Sequence, residues 1–187
     1  MDDRQRLLEI IRTRSFRQSG AFTLASGRTS SIYFNLKPTM LDPEGARLVG
    51  AAVAAKARAL GATHVGGLEM GAVPIVAAAA AMSAVAGDPI RAFFVRKQAK
   101  DHGTKSLIEG LAEGESLEAA RVAVVEDVTT TGGSALKAIN AIRDAGATIV
   151  GVVTLLDREE GATDAFDAAG IALHPLFRKS EFGKDLA

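Results

Sequence analysis

Residues 126–134 of this 187-residue chain read Glu-Asp-Val-Thr-Thr-Thr-Gly-Gly-Ser. Thr129, Thr130, Thr131 and Ser134 offer hydroxyls, and Gly132 and Gly133 let the backbone approach a ligand closely. A helix opening at Ser134 would aim free amide donors at an anion. That chemistry suits a phosphate monoester. Glu126 and Asp127, just before Val128, would repel the phosphate itself but accept hydrogen bonds from sugar hydroxyls beside it. Carboxylates and cradle together point to a ribose 5-phosphate. No lysine follows the glycines and no GxGxxG is present, which removes the mononucleotide P-loop and the dinucleotide fingerprint.

A second stretch is basic. Residues 96–105 carry Arg96, Lys97, Lys100 and Lys105 against the single acid Asp101, with His102 and Gly103 alongside. The polar run they begin is too long for an ordinary connection, which marks it as a functional loop. Mobile cations closing over an anionic leaving group would offset its developing charge and exclude water.

The elements that must position these groups follow from pattern. Leu7, Leu8 and Ile11 share one helical face, so residues 3–14 read as an opening amphipathic helix. Residues 22–24 and 32–34 are β-prone runs around a Ser-Gly-Arg-Thr-Ser loop. Asp42 as N-cap, Pro43 at the first helical position and Gly61 beyond the end bound a helix over residues 43–60. Residues 64–68 read as a strand and Pro74 opens a second helix, followed by Gly87. Residues 91–95 form a further strand and residues 121–125 another, with 126–133 as a turn. A helix over residues 134–145, capped by Gly146, leads to a strand over 148–156. Such alternation predicts an α/β fold with parallel pairing, helices on both faces and ligands at the carboxyl ends of the strands. His64 and His174 read as packed strand residues without chemistry.

Composition narrows the classes. The 22 lysines and arginines balance 22 acids, which argues against a broadly basic nucleic-acid binder. With no cysteine, thiol catalysis, disulfides and Cys-ligated metals are excluded, and the cytoplasm is the expected compartment. The N-terminus lacks a signal pattern, and the alanine-rich run 70–87, interrupted by Pro74, reads as a buried helix and not a membrane span.

An apolar strand, two acids and Val-Thr-Thr-Thr-Gly-Gly-Ser resemble the phosphoribosyl pyrophosphate (PRPP) signature of type I phosphoribosyltransferases. Arg96-Lys97-x-x-Lys100-x-His102-Gly103 resembles the catalytic loop of the orotate-using branch, which reaches into the neighbouring subunit's active site. Residues 22–35 resemble that branch's N-terminal hood and Leu156-Asp157-Arg158 its Asp-Arg element, while residues 69–74 resemble a variant, found in another branch of the family, of the loop whose backbone lies near pyrophosphate. The resemblance runs from Phe22 to about Arg158. Ala25 and Met70 stand where some members carry lysines, so those phosphate contacts do not carry over.

The resemblance implies a Rossmann-like type I phosphoribosyltransferase fold, a central, mainly parallel sheet flanked by helices. The whole chain, 1–187, would be one domain, its small hood formed by about 1–40 with C-terminal contributions. It implies a homodimer with shared active sites, orotate and PRPP as substrates, and neither nucleic acid nor membrane as partner. Residues 128–134 would hold the 5-phosphate, and Glu126 and Asp127 the ribose. Arg96, Lys97, Lys100 and His102 would face pyrophosphate, with Lys100, His102 and Asp127 catalytic. Thr130, Tyr33, Phe34 and Arg158 would contact orotate, Arg158 gripping the carboxylate through two parallel donors. Magnesium (Mg2+) would bridge pyrophosphate and ribose while keeping water and substrate ligands, so no protein metal ligand is assigned. Two alternatives stay open: transfer to another base, and a non-catalytic PRPP-sensing regulator, for which the residues ahead of the hood leave no room for a DNA-binding domain.

Overall fold

The computed structural model of the chain describes residues 1–23, 29–98 and 106–183. Helix α1 (Asp3–Arg14) starts where the Asp2 carboxylate accepts the Gln5 N–H at 2.7 Å. It leads into an antiparallel hairpin of β1 (Phe16–Thr23) and β2 (Thr29–Phe34). A short α2 (Lys37–Met40) follows, then α3 (Pro43–Ala59), where Asp42 accepts the Gly45 N–H at 3.0 Å and Pro43 fixes the first turn.

The centre is a five-stranded parallel sheet. It is built from β3 (His64–Gly66), α4 (Ala72–Val85), β4 (Arg91–Ala92), β7 (Arg121–Thr129), α5 (Gly133–Asp144), β8 (Thr148–Asp157), α6 (Ala162–Ala168) and β9 (Leu173–Arg178). Between β4 and β7 lie β5 (Phe94–Val95) and β6 (Ile108–Glu109), paired antiparallel outside the main sheet. The strand order is β4-β3-β7-β8-β9. Period-two alternation gives β7 two buried faces. Ala123 and Val125 join the core under α3 and α4, while Val122 and Val124 join the core under α5 and α6.

That order places the functional crevice. From β3 the chain winds outward to β4 and then returns to β7 on the other side of β3, so the winding direction reverses between β3 and β7. Loops leaving the carboxyl ends of these two strands diverge, and ligands of open α/β sheets bind in the gap. Glu69 to Gly71 follow β3, and the acid pair ends β7.

Two expectations are corrected. Residues 126–129 belong to β7 and not to a turn, because Val128 and Thr129 pair with Leu156 and Asp157 of β8. Residues 91–95 are not one uninterrupted strand: it lapses at Phe93, although the Phe93 and Val95 N–H groups still donate to the Val65 and Gly67 carbonyls at 3.1 and 2.8 Å, and Val95 pairs with Ile108 as well. The resulting β5–β6 neck, with the Arg96 N–H donating to the Leu107 carbonyl at 2.8 Å, carries the basic segment. Beyond the span read from sequence, α6, β9 and a final turn (Lys179–Phe182) complete the chain. Phe182 packs on Phe16 and Phe34 at ring separations of 5.7 and 5.1 Å, so the C-terminal turn covers the N-terminal hairpin.

Candidate active site

The cradle forms where β7 hands over to α5. Gly132 takes a left-handed φ of +82° and serves as the N-cap. The first backbone bond of α5, from the Leu136 N–H to the Gly132 carbonyl, spans 3.0 Å, and the amides of Gly133, Ser134 and Ala135 precede it. Thr129 is buried, and its Oγ1 has no hydrogen-bond partner among the described residues. A cavity of about 290 Å³ lies over these groups, lined by residues 128–135 with Glu126 and Lys137. An anion there would meet hydroxyls, free amides and a helix N-terminus together.

Gly132 cannot be exchanged freely. A Cβ there would sit 3.0 Å from the Phe166 ring in a backbone conformation costly for a branched residue. Gly132→Val is expected to lower stability by about 2 kcal/mol. For a chain of this size that is a thermal midpoint roughly 4–8 °C lower, and the KM for PRPP should rise with it. An unchanged midpoint and KM would contradict this role.

The acid pair sits beside the cradle. Glu126 is 8% exposed and its Oε2 lacks a partner among the described residues. Burial, reinforced by the neighbouring Asp127 charge and partly relieved by Lys97, pushes its carboxyl up to about 8. Asp127 is half-buried, with Oδ1 accepting the Val128 N–H at 2.9 Å. It approaches the loop after β3 so closely that a Cβ on Gly71 would lie 2.6 Å from that oxygen.

The raised Glu126 carboxyl makes stability pH-dependent. Folded Glu126 holds its proton up to about pH 8, whereas its ordinary value is 4.5. The folded state therefore binds more protons between these limits, and stability falls as pH rises through that window. Glu126→Gln should remove this fall, so the variant gains about 3 kcal/mol on the wild type between about pH 5 and pH 9 in urea unfolding. Parallel stability curves would contradict it.

A second cavity, of about 390 Å³, is lined by Asp127 and shares Glu126 and Ser134 with the first. Glu69, Met70 and Gly71 line it from the loop after β3, with Lys37, Lys97 and Ser134. The Glu69–Met70 peptide is cis. Glu69 fastens this loop to the basic segment twice: its N–H donates to the Val95 carbonyl at 2.8 Å, and its Oε1 accepts the Lys97 N–H at 2.9 Å. Arg96 instead turns back to Glu109 at 3.6 Å. Lys100 and His102 lie outside the described residues, as do hood residues 24–28, including Ala25.

Arg158, directly after β8, is 6% exposed and donates its N–H to the Thr129 carbonyl at 2.9 Å. Its Nη2 meets Glu160 at 2.7 Å, while its Nε is buried without a partner among the described residues. The hood aromatics separate by strand alternation. Tyr33 is 40% exposed, whereas Phe34 is 7% exposed and closed in by Phe16 and Phe182. The Phe34 side chain is thus part of the hood's packing. His64 and His174 are half-buried strand residues, both lowered chiefly by burial.

The structure thus brings residues 126–134 together with Lys97, and ties the Arg158 backbone to Thr129. Sequence reading missed Lys37 and Lys137, and took residues 69–74 as a loop near pyrophosphate without a role for the Glu69 side chain. Only Lys137 had a local signal, one turn into the helix that follows the glycines.

Residues 40–167 match the phosphoribosyl transferase domain family. The orotate phosphoribosyltransferase of Bradyrhizobium diazoefficiens is 57% identical over 181 residues, 97% of this chain and 96% of its own. The Mycobacterium tuberculosis orotate phosphoribosyltransferase in complex with Fe(III) dicitrate is similar at a TM-score of 0.84 and 38% identity, covering 97% of this chain and 99% of that one. The same enzyme in complex with PRPP gives 0.80 and 35%, with 97% and 99% covered.

Proposed function

Because the chain belongs to the orotate phosphoribosyltransferases of the phosphoribosyltransferase family, we propose that the crevice between β3 and β7 holds PRPP and orotate together, with Mg2+. The products are orotidine 5'-monophosphate and pyrophosphate, a step of pyrimidine synthesis. The supporting observation is that Glu126 borders two cavities, one walled by the α5 cradle and the other, which Asp127 also lines, by the loop after β3 and Lys97. A ribose at Glu126 and Asp127 would send its 5-phosphate one way and its pyrophosphate the other.

In the reaction the anomeric C–O bond to pyrophosphate breaks, its electron pair leaving with the oxygen, and a ring nitrogen of orotate bonds to the same carbon while its proton passes to the released pyrophosphate or to water. No protein nucleophile is required. The cradle amides, Thr129 to Thr131 and Ser134 fix the 5-phosphate and so orient the anomeric carbon. Asp127 and Glu126 hydrogen-bond the ribose hydroxyls, and the Asp127 carboxylate stabilises positive charge growing on the sugar. Lys97, with Lys100, His102 and Arg96, offsets the charge that moves onto pyrophosphate. Arg158, Thr130 and Tyr33 position orotate.

The residues fit a magnesium ion that arrives with its substrate. The unpartnered Glu126 Oε2 and the Asp127 carboxylate are hard oxygen acceptors suited to the water shell such an ion keeps. When bound, Mg2+ supplies positive charge to the pyrophosphate oxygens. The same reading makes residues 1–187 one domain, the basic segment a contribution to the partner's site in a homodimer, and the cysteine-free chain a cytoplasmic enzyme.

Base competition tests the proposal. With PRPP and Mg2+, equal concentrations of orotate, uracil and adenine should yield orotidine 5'-monophosphate alone. A uracil or adenine ribotide as main product would overturn the assignment of the base.

A further inference from the structure

We infer that Lys37 is a further substrate-binding residue, which holds the donor's pyrophosphate group across the cavity from Lys97. This rests on the reading of the crevice as the PRPP site. Lys37 opens α2, and its N–H donates to the Asn35 Oδ1 at 3.3 Å, anchoring the turn from which the side chain departs. The side chain is exposed and lines the 390 Å³ cavity together with Glu69, Lys97, Glu126 and Asp127.

Charge balance gives it a task. Three carboxylates line this cavity, yet the only cations lining it among the described residues are Lys37 and Lys97. A pyrophosphate ester brings several further negative charges, so the cavity needs every cation it can present. The loop after β3 supplies none: Met70 is 62% exposed at its tip and carries no charge. Despite the three acids, the Lys37 ammonium forms no ion pair among the described residues. The α5 N-terminus lines the 290 Å³ cavity with Gly133, Ser134 and Ala135, and of these only Ser134 also lines this one. A cation without a carboxylate partner, facing a cavity that must take up an anion, is placed to bind that anion by charge-assisted hydrogen bonds.

The test pairs Lys37→Ala with Lys37→Arg. Calorimetric titration of inorganic pyrophosphate with Mg2+ should show about a tenfold loss of affinity in the alanine variant, the size of one charge-assisted contact. The arginine variant should stay within about threefold of wild type, since it keeps the charge. In steady-state kinetics the KM for PRPP should rise about tenfold in the alanine variant while the KM for orotate stays within about twofold. The thermal midpoint should not move, because the side chain is exposed. Pyrophosphate affinity and KM for PRPP within twofold of wild type, or a rise in the KM for orotate instead, would overturn the inference. Failure of the wild type to convert orotate would overturn the proposed function instead, and the pyrophosphate titration would still decide Lys37.

Discussion

Asp127→Asn is expected to lower kcat by about a hundredfold while changing the KM for PRPP only a few-fold. As the anomeric bond breaks, positive charge spreads over the ribose ring. A carboxylate within about 4–5 Å, at the effective dielectric near a protein surface, stabilises it by about 3 kcal/mol. That is about two orders of magnitude in rate. Asparagine preserves the shape: its side-chain oxygen can still accept the Val128 N–H and still fits against Gly71. Only the charge is lost. Glu126 cannot substitute for it, because burial holds that carboxyl up to about 8, and near neutral pH it is mostly protonated in the free protein. Steady-state kinetics with a matched thermal midpoint checks this, and a fall in kcat of less than threefold would remove Asp127 from the chemistry.

Arg158→Ala should raise the KM for orotate by about a hundredfold and leave that for PRPP within about threefold. The guanidinium is nearly sealed from water, and its backbone is tied to Thr129 at the root of the cradle. Glu160 engages Nη2 at 2.7 Å, while Nε has no partner among the described residues. A planar group held this way can add a substrate carboxylate through forked donors. Losing such a buried, charge-assisted contact costs about 3 kcal/mol, which is about a hundredfold in affinity. Arg158→Lys should not restore binding, because an ammonium has no fork. Equal KM values for orotate in wild type and both variants would move carboxylate recognition elsewhere.

How far the sequence discloses this site depends on whether its signals are local. The cradle was legible because strand, glycine pair and helix are contiguous, and the hydroxyls and acids lie within nine residues. The end of β7 was misplaced because acids and threonines before two glycines resemble a turn. Pairing with β8 outweighs that local preference. The interruption at Phe93 had no local mark either, since Phe93-Phe94-Val95 is uniformly β-prone, and the second partners Ile108 and Glu109 come back from across the basic segment. Tyr33 and Phe34 face opposite sides of a hairpin strand, and only the packing of Phe16 and Phe182 decides which is core. Lys37, and the role of the Glu69 side chain within a loop that was itself noticed, were invisible for a related reason: each is a lone charged residue after a strand, and its meaning comes from a cavity assembled from distant segments. The edge strand β9 carries Pro175, a residue that weakens any strand pattern and is tolerated at edges.

The most direct measurement follows the loss of orotate by its ultraviolet absorbance alongside pyrophosphate release, with PRPP and Mg2+. The account predicts equal amounts of orotate consumed and pyrophosphate formed, and no pyrophosphate when orotate is omitted. Pyrophosphate released without loss of orotate, or no loss of orotate by the intact wild-type protein, would contradict it.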